Sequence, residues 1–302
     1  MAQKKRNLFS PLMLILTILL FVFSVNLTVL ADTEAAKVAF NKGLEFEKAN
    51  NNVAALASYQ LCLKEDPSYI DAYINIGTMK FAEKKYDDAL TNFKAATEKD
   101  SKNVDAFTNL GKVQYKLKKY AEAEASFKSS IALKEDAGTY KELGKVYYKK
   151  KNYPEVINAF TKSHSLGGGD HITQYMLGKA YQKTGKKADA IKALKKSASI
   201  KSDYYLAHST LGGIYASDDK NTAAAAAYKK AMNTTYKKRY NAAYNYAVQI
   251  ETADPENYKV NIANWQKFIK MAKGKPNAKN QLATATGHVK ELQEALEESK
   301  LQ

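Results

Sequence analysis

A period of about 34 residues constrains this chain more than any other sequence feature. Six glycines recur at spacings of 34, 34, 33, 34 and 34 residues: Gly43, Gly77, Gly111, Gly144, Gly178 and Gly212. Twelve residues after each Gly stands Ala or, once, Val, and four residues later stands an aromatic residue or Leu. A fixed period of this length indicates stacked units that share one continuous core.

Apolar spacing within each unit predicts a pair of helices. Ala89, Phe93 and Ala96 follow the 3.6-residue period of a helix, and polar segments such as Leu117-Lys118-Lys119 predict turns between paired helices. Gly and Ala at fixed crossings allow two helix backbones to approach closely, while the aromatic residue fills the adjoining gap. We therefore expect an all-α chain built from helical hairpins.

The pattern resembles the tetratricopeptide repeat, in which an aromatic residue, Leu-Gly, Tyr, Ala, a second aromatic residue, Ala and a closing Pro recur over 34 residues. Six units match over residues 36 to about 236, although Lys42 and Val156 depart from the pattern and Pro67 is the one closing Pro. The resemblance implies an α-solenoid of helix-turn-helix repeats wound as a right-handed superhelix. We place six units in residues 32–237, a degenerate seventh in 238–273 and a C-terminal capping helix in 274–302.

The first thirty-one residues differ from the rest. They contain three basic residues, no acid and an apolar stretch from Leu8 to Val25, followed by small residues up to Ala31. Two interpretations fit: a secretory signal peptide cleaved after Ala31, or an uncleaved membrane anchor formed by residues 8–30. Both predict an exported chain, in the periplasm or cell envelope of a bacterium, and therefore no nucleic-acid partner.

Residues suited to catalysis or metal binding are sparse. The four histidines lie in different units without metal-ligand spacing, and His208 occupies a position where packing is expected. Cys62 stands alone, so we expect a small buried side chain and no internal disulfide. We interpret residues 167–169, a Gly run, as a helix-ending loop with Asp170 capping the next helix. We expect no catalytic residue, no metal site and no cofactor.

Positive charge is concentrated in the middle of the chain. Residues 104–203 hold 20 Lys and 10 acidic residues, a net charge of +10, out of +16 for the whole chain. Lys lacks the planar fork with which Arg binds a carboxylate or phosphate, so such a surface attracts acidic partners without fine geometric selection. The alternative is that these lysines only keep a repeat array soluble.

The family resemblance implies that the first helix of each unit lines a concave groove. It places ten residues of the third to fifth units in this predicted groove: Lys112, Tyr115, Lys116, Lys141, Lys145, Tyr148, Lys149, Tyr175, Lys179 and Lys183. The carboxylate clamp of chaperone-binding members is not reproduced, because Phe40 and Leu44 occupy the positions of its Lys and Asn in the first unit.

These observations predict a non-enzymatic scaffold that binds a partner protein or an acidic peptide in the predicted groove. A membrane-anchored assembly factor for an envelope complex and a binder of an anionic envelope polymer remain alternatives. The sequence leaves the partner, the pathway and the oligomeric state open.

Overall fold

The computed structural model of the chain describes residues 33–301. The predicted signal peptide or anchor in residues 1–31 lies outside this range. Within it, the secondary structure consists of α-helices, one short 3-10 helix and their connecting turns. Backbone contacts divide it into two compact units that meet in sequence between Glu135 and Asp136.

The first compact unit contains three helical hairpins. Its helices are α1 (residues 33–48), α2 (Asn52–Glu65), α3 (Ile70–Ala82), α4 (Tyr86–Lys99), α5 (Val104–Lys116) and α6 (Tyr120–Leu133). Helix α3 packs on α4 and α5 packs on α6, and α3 also contacts α5. First helices of successive hairpins therefore lie side by side, as in an α-solenoid.

The second compact unit contains four hairpins and a last helix. Its helices are α7 (Ala137–Lys149), α8 (Tyr153–Ser165), α9 (His171–Lys183), α10 (Lys187–Ile200), α11 (Tyr205–Ala216), α12 (Asn221–Met232), α13 (Tyr240–Ala253), α14 (Tyr258–Ala272) and α15 (Lys279–Glu298), with a 3-10 turn at Pro276–Ala278. Each helix packs on the next, and α7 also contacts α9. The fold is therefore an all-α solenoid of helical hairpins, as the sequence predicts.

The repeat glycines lie where paired helices cross. A Cβ atom on Gly77 or Gly111 would lie 2.7 Å from the ring of the aromatic residue sixteen positions later, Phe93 or Phe127, and Gly178 has the same relation to Leu194. Phe93 and Phe127 are buried. The sequence prediction that Gly allows a close crossing while the large side chain fills the gap is confirmed.

The turns inside the hairpins share one backbone conformation. The residue seven positions after each repeat Gly has a positive φ, between 56° and 75°, and these residues are Asn50, Lys84, Lys118, Lys151, Gly185 and Asp219. A left-handed residue at the end of a helix is a common way to reverse the chain. Only Gly185 adopts it without a steric penalty, since the others carry a Cβ atom.

Aromatic residues that follow three of these turns begin the second helices. Tyr86, Tyr120 and Tyr153 are the first residues of α4, α6 and α8 and are half-buried. The Tyr86 ring packs against Phe81 at 5.4 Å between centroids, and the same contact joins Tyr153 to Tyr148 at 6.2 Å. Each ring therefore covers the turn from the second-helix side.

Aromatic side chains pack against one another near the end of the second compact unit. Trp265 and Phe268 of α14 are buried against Tyr244 of α13, with ring centroids 5.2 Å apart in both pairs. Val289 and Leu292 of α15 belong to the same core cluster. Helix α15 therefore covers the apolar face of α14, the role expected of a cap.

Candidate partner-binding surface

In the second compact unit, α7 and α9 bring part of the predicted groove together. These neighbouring first helices carry Lys141, Lys145, Tyr148 and Lys149 on α7 and Tyr175, Lys179 and Lys183 on α9. Tyr148 and Tyr175 are half-buried, whereas Lys149 and Lys183 are exposed. The two helices thus present phenol rings flanked by ammonium groups.

The tyrosines form a longer strip than the sequence predicts. Tyr148 packs on Tyr153, and Tyr175 meets the ring of Tyr204 edge-on at a centroid distance of 5.6 Å. We call Tyr148, Tyr153, Tyr175 and Tyr204 the tyrosine strip. Burial raises the pKa of Tyr148, and its neighbours Tyr175 and Tyr153 raise it further. Tyr148 therefore stays neutral and offers a hydrogen bond as well as apolar area.

Two lysines of the predicted groove already have an acidic partner inside the protein. Lys141 Nζ lies 2.6 Å from Asp170 Oδ2, and Lys145 Nζ lies 2.6 Å from Glu142 Oε1. Burial opposes ionisation of Asp170, yet hydrogen bonds from Lys141 and Thr173 lower its pKa to about 2. Because their charges are compensated, Lys141 and Lys145 add little net attraction for an acidic partner.

Lys179 and Lys183 are two neighbouring lysines of this surface whose charges are not compensated. Burial lowers the pKa of Lys179, and the nearby positive charge of Lys183 lowers it further. Lys179 donates to Gln182 Oε1 at 2.9 Å, and neither lysine forms an ion pair within residues 33–301. An acidic group bound here would relieve the repulsion between the two ammonium groups.

The predicted groove residues of the first compact unit lie on α5. Lys112 donates to Asn109 Oδ1 at 3.3 Å, Tyr115 packs against Tyr120, and Lys116 is exposed. A small cavity of about 200 Å³ adjoins Lys112, and its lining is completed by Thr78, Phe81, Phe93 and Asn109. This cavity offers an apolar floor beside one ammonium group.

Two larger cavities lie on the side formed by second helices, which the sequence did not single out. One, of about 740 Å³, is lined by α8, α9 and α10 and includes His164 and Lys192. The other, of about 720 Å³, is lined by α10, α11 and α12 and has an Ala-rich floor. Lys195 borders both cavities.

The four histidines serve packing and hydrogen bonding. His208 is buried, and its Nε2 lies 2.7 Å from the carbonyl oxygen of Ser202, which confirms the predicted packing role. His164 bonds Thr173 and Gln174, and burial lowers its pKa. The part of the chain that the structure covers holds no group of three or more His, Cys, Asp or Glu side chains able to bind a metal.

Two further sequence predictions are confirmed by local geometry. Cys62 is fully buried, and burial raises its pKa to about 11, so the thiol is a packing group. Asp170 caps α9 by accepting from the Thr173 amide, after a loop in which Gly167 has a φ of 86°.

In residues 33–301, no helix has both the length and the apolarity needed to cross a bilayer.

Comparison with known families identifies the repeat. Residues 77–118 match the profile described as TPR repeat, and residues 104–136 and 173–204 match the profile described as Tetratricopeptide repeat. The comparison with curated protein sequences gives no match. Residues 77–136 and 173–204 therefore carry tetratricopeptide repeats, which are in general non-catalytic scaffolds for protein interaction.

Solved structures share the fold. The C-terminal part of a TPR repeat-containing protein from Cytophaga hutchinsonii is 18% identical, with a TM-score of 0.67, over 80% of this chain and 99% of that one. A tetratricopeptide repeat protein from Parabacteroides merdae is 16% identical, with a TM-score of 0.55, over 84% and 99%. YrrB, described as a TPR protein with an unusual peptide-binding site, is 19% identical, with a TM-score of 0.54, over 58% and 91%.

Proposed function

Since the chain carries tetratricopeptide repeats, we propose that it is a non-enzymatic interaction scaffold of the bacterial cell envelope. Its partner is a protein with an extended acidic segment, bound along the first helices α7 and α9. The observation that carries this proposal is the uncompensated pair Lys179 and Lys183 beside half-buried tyrosines. Repeat arrays of this class use the face of one helix set as an extended binding surface.

The division of roles within this surface follows from its contacts. Tyr148 and Tyr175 supply large rings whose mobility is already restricted by packing, so contact with them costs little conformational entropy. Lys179, Lys183 and Lys149 supply charges that steer an acidic segment toward the rings. Lys141 and Lys145 act indirectly, since their ion pairs with Asp170 and Glu142 fix the first turn of α9 and the middle of α7.

A binding assay tests the assignment. The probe is a fluorescent, unstructured peptide in which Glu alternates with Leu and Tyr. We expect Lys179→Gln with Lys183→Gln to weaken binding about tenfold or more, the effect of losing one charge-assisted hydrogen bond. The matched control, Lys195→Gln with Lys196→Gln on α10, removes the same charge from exposed positions of the same hairpin. Equal losses in both variants would show that only net charge matters.

Location is a separate part of the proposal and needs its own test. It is supported by the basic cluster and apolar stretch within residues 1–31. N-terminal sequencing of the protein from bacterial cell fractions distinguishes a secreted form that begins at Asp32 from an anchored form that retains residues 8–30. Recovery of an intact chain in the cytoplasm alone would contradict the envelope assignment.

A further inference from the structure

A cavity near the end of the second compact unit collects basic side chains away from the predicted groove. Its volume is about 410 Å³, and it is lined by Thr235, Tyr236, Lys237, Arg239, Tyr240, Met271 and Lys275. These residues come from the loop between α12 and α13, the first turn of α13, and the end of α14 with the loop that follows. We call this the basic cavity.

The basic cavity has three cations and no acid in its lining. Within residues 33–301, Lys237, Arg239 and Lys275 take part in no ion pair, although many other lysines of the chain do. Helix α13, which starts after Arg239, has no acidic residue in its first turn. The positive charge in this cavity is therefore not compensated by any carboxylate of residues 33–301.

Arg239 is the feature that distinguishes this cavity from the lysine-rich surfaces. The chain has 47 basic residues, and Arg239 is the one Arg among residues 33–301. Its Nη1 donates to the carbonyl oxygen of Thr234 at 3.1 Å, which holds the guanidinium against the loop. Its remaining N–H groups form a planar fork that binds two oxygens of one anion.

The remaining walls suit a group larger than a free anion. Tyr236 stacks on Tyr205 with ring centroids 4.6 Å apart and an interplanar angle of 24°, so its ring is held in place. Met271 adds a second apolar surface. Hydroxyl groups of Thr235 and Tyr236 can donate to anionic oxygens.

We propose that the basic cavity binds a phosphate monoester, its phosphate held by Arg239, Lys237 and Lys275 and its apolar substituent held against Tyr236 and Met271. A monoester phosphate carries a charge of about −1.5 to −2 at pH 7, whereas a single carboxylate carries −1. The three cations of the cavity therefore complement a phosphate better than a carboxylate. This site is independent of the peptide surface proposed on α7 and α9.

Two probes, inorganic phosphate and phenyl phosphate, test the site on the unaltered chain. Binding of each probe is measured from changes in the backbone amide chemical shifts in NMR spectra. We expect shifts confined to residues 235–240 and 271–275, and tighter binding of phenyl phosphate. Shifts spread over lysines throughout the chain would overturn the site, and equal affinity for the two probes would overturn the role of the apolar wall.

Variants then separate the site from general charge. Arg239→Gln with Lys275→Gln should weaken phenyl phosphate binding about tenfold or more, and Arg239→Lys should give an intermediate loss because it keeps the charge without the fork. The matched control is Lys229→Gln with Lys267→Gln, two exposed positions on α12 and α14 with the same charge change. An equal loss in the control would overturn the proposal.

Discussion

At the scale of single residues, the repeat glycines are packing positions. A Cβ atom at Gly111 would lie 2.7 Å from the Phe127 ring, which is fully buried. We predict that Gly111→Ala lowers the free energy of unfolding by about 1–3 kcal/mol, the usual cost of overpacking a core. Urea denaturation followed by circular dichroism measures this.

Gly287 provides the matched control for that substitution. It lies in the middle of α15, and a Cβ atom there meets nothing within 4 Å. Gly287→Ala should therefore raise the free energy of unfolding by about 0.5–1 kcal/mol, because Ala is the better helix former. Destabilisation by both substitutions, or by neither, would contradict the packing explanation.

The left-handed turn residues give a second residue-scale prediction. Lys118 has a φ of 62°, a conformation that costs a residue with a Cβ atom about 1–2 kcal/mol. We expect Lys118→Gly to stabilise the fold by roughly 0.5–1 kcal/mol, after the greater freedom of Gly in the unfolded chain is subtracted. Gly185→Ala, at the equivalent position two hairpins later, should destabilise it in the same denaturation assay.

The sequence predicted the glycine crossings because both partners belong to one 34-residue unit. It could not predict the ion pair between Lys141 and Asp170, which lie 29 positions apart and meet only once neighbouring hairpins are stacked. Asp170 was expected as a helix cap, and the structure adds that the same carboxylate neutralises a lysine of the predicted groove.

At the scale of elements, Asp170 links α7 to α9. It accepts from the Thr173 amide at the start of α9 and from Lys141 on α7. We predict that Asp170→Ala costs about 1–2 kcal/mol of stability, the usual cost of a lost cap. Asp170→Asn should cost less, because its amide oxygen still accepts from the cap.

The pH dependence of that link follows from its depressed pKa. Asp170 has a pKa of about 2 in the folded state and 3.8 as a free side chain, so its stabilisation is present above pH 4 and is lost as the pH falls toward 2. In acid titrations of stability, the Asp170→Asn variant should lack this loss of stabilisation. Asn103→Ala, a cap substitution without a titrating group, should lower stability equally at every pH.

A second link joins the last helix to α13. His288 Nε2 lies 2.8 Å from Glu251 Oε1, and Glu251 also accepts from the Trp265 indole at 2.7 Å. Burial lowers the pKa of His288, but hydrogen bonds to Glu251 and Glu291 and their charges outweigh burial and raise it above 6.5. The link therefore stabilises the fold below pH 6.5 and weakens as the pH rises through the folded-state pKa.

Comparison with His288→Gln measures this link. The melting temperature of the unaltered chain should exceed that of the variant by more at pH 6 than at pH 8. Because both proteins contain the other histidines, the difference in melting temperature removes their contribution. One of them is His164, whose pKa is lowered by burial. Trp265, the one Trp of the chain, reports the same contact by fluorescence. A difference that does not change with pH would contradict the charged link.

The helical hairpins followed from spacing and turn residues in the sequence, but the contacts of the last helix did not. The sequence predicted a capping helix within residues 274–302, and the structure buries Val289 and Leu292 of α15 against neighbouring helices. The Glu251 and His288 contact spans 37 positions. No repeat period relates the two residues, so sequence spacing held no signal for it.

At the scale of the whole molecule, the distribution of charge along the chain bears on the proposed acidic partner. The net charge of +10 in residues 104–203 supports the proposal of an acidic partner, yet ion pairs compensate two of the seven lysines assigned to the predicted groove. Affinity for an acidic peptide should fall as salt rises from 50 to 500 mM, because exposed charges are screened. Salt-independent binding would contradict steering by Lys149, Lys179 and Lys183.

The most direct test asks which side of the hairpins an acidic partner covers. Hydrogen–deuterium exchange of the chain, with and without the Glu-, Leu- and Tyr-containing peptide, separates the two sides. The account predicts slower exchange in α7 and α9, at Ala137–Lys149 and His171–Lys183, with α8 and α10 unchanged. Protection confined to α8 and α10, beside the cavity of about 740 Å³, would contradict it.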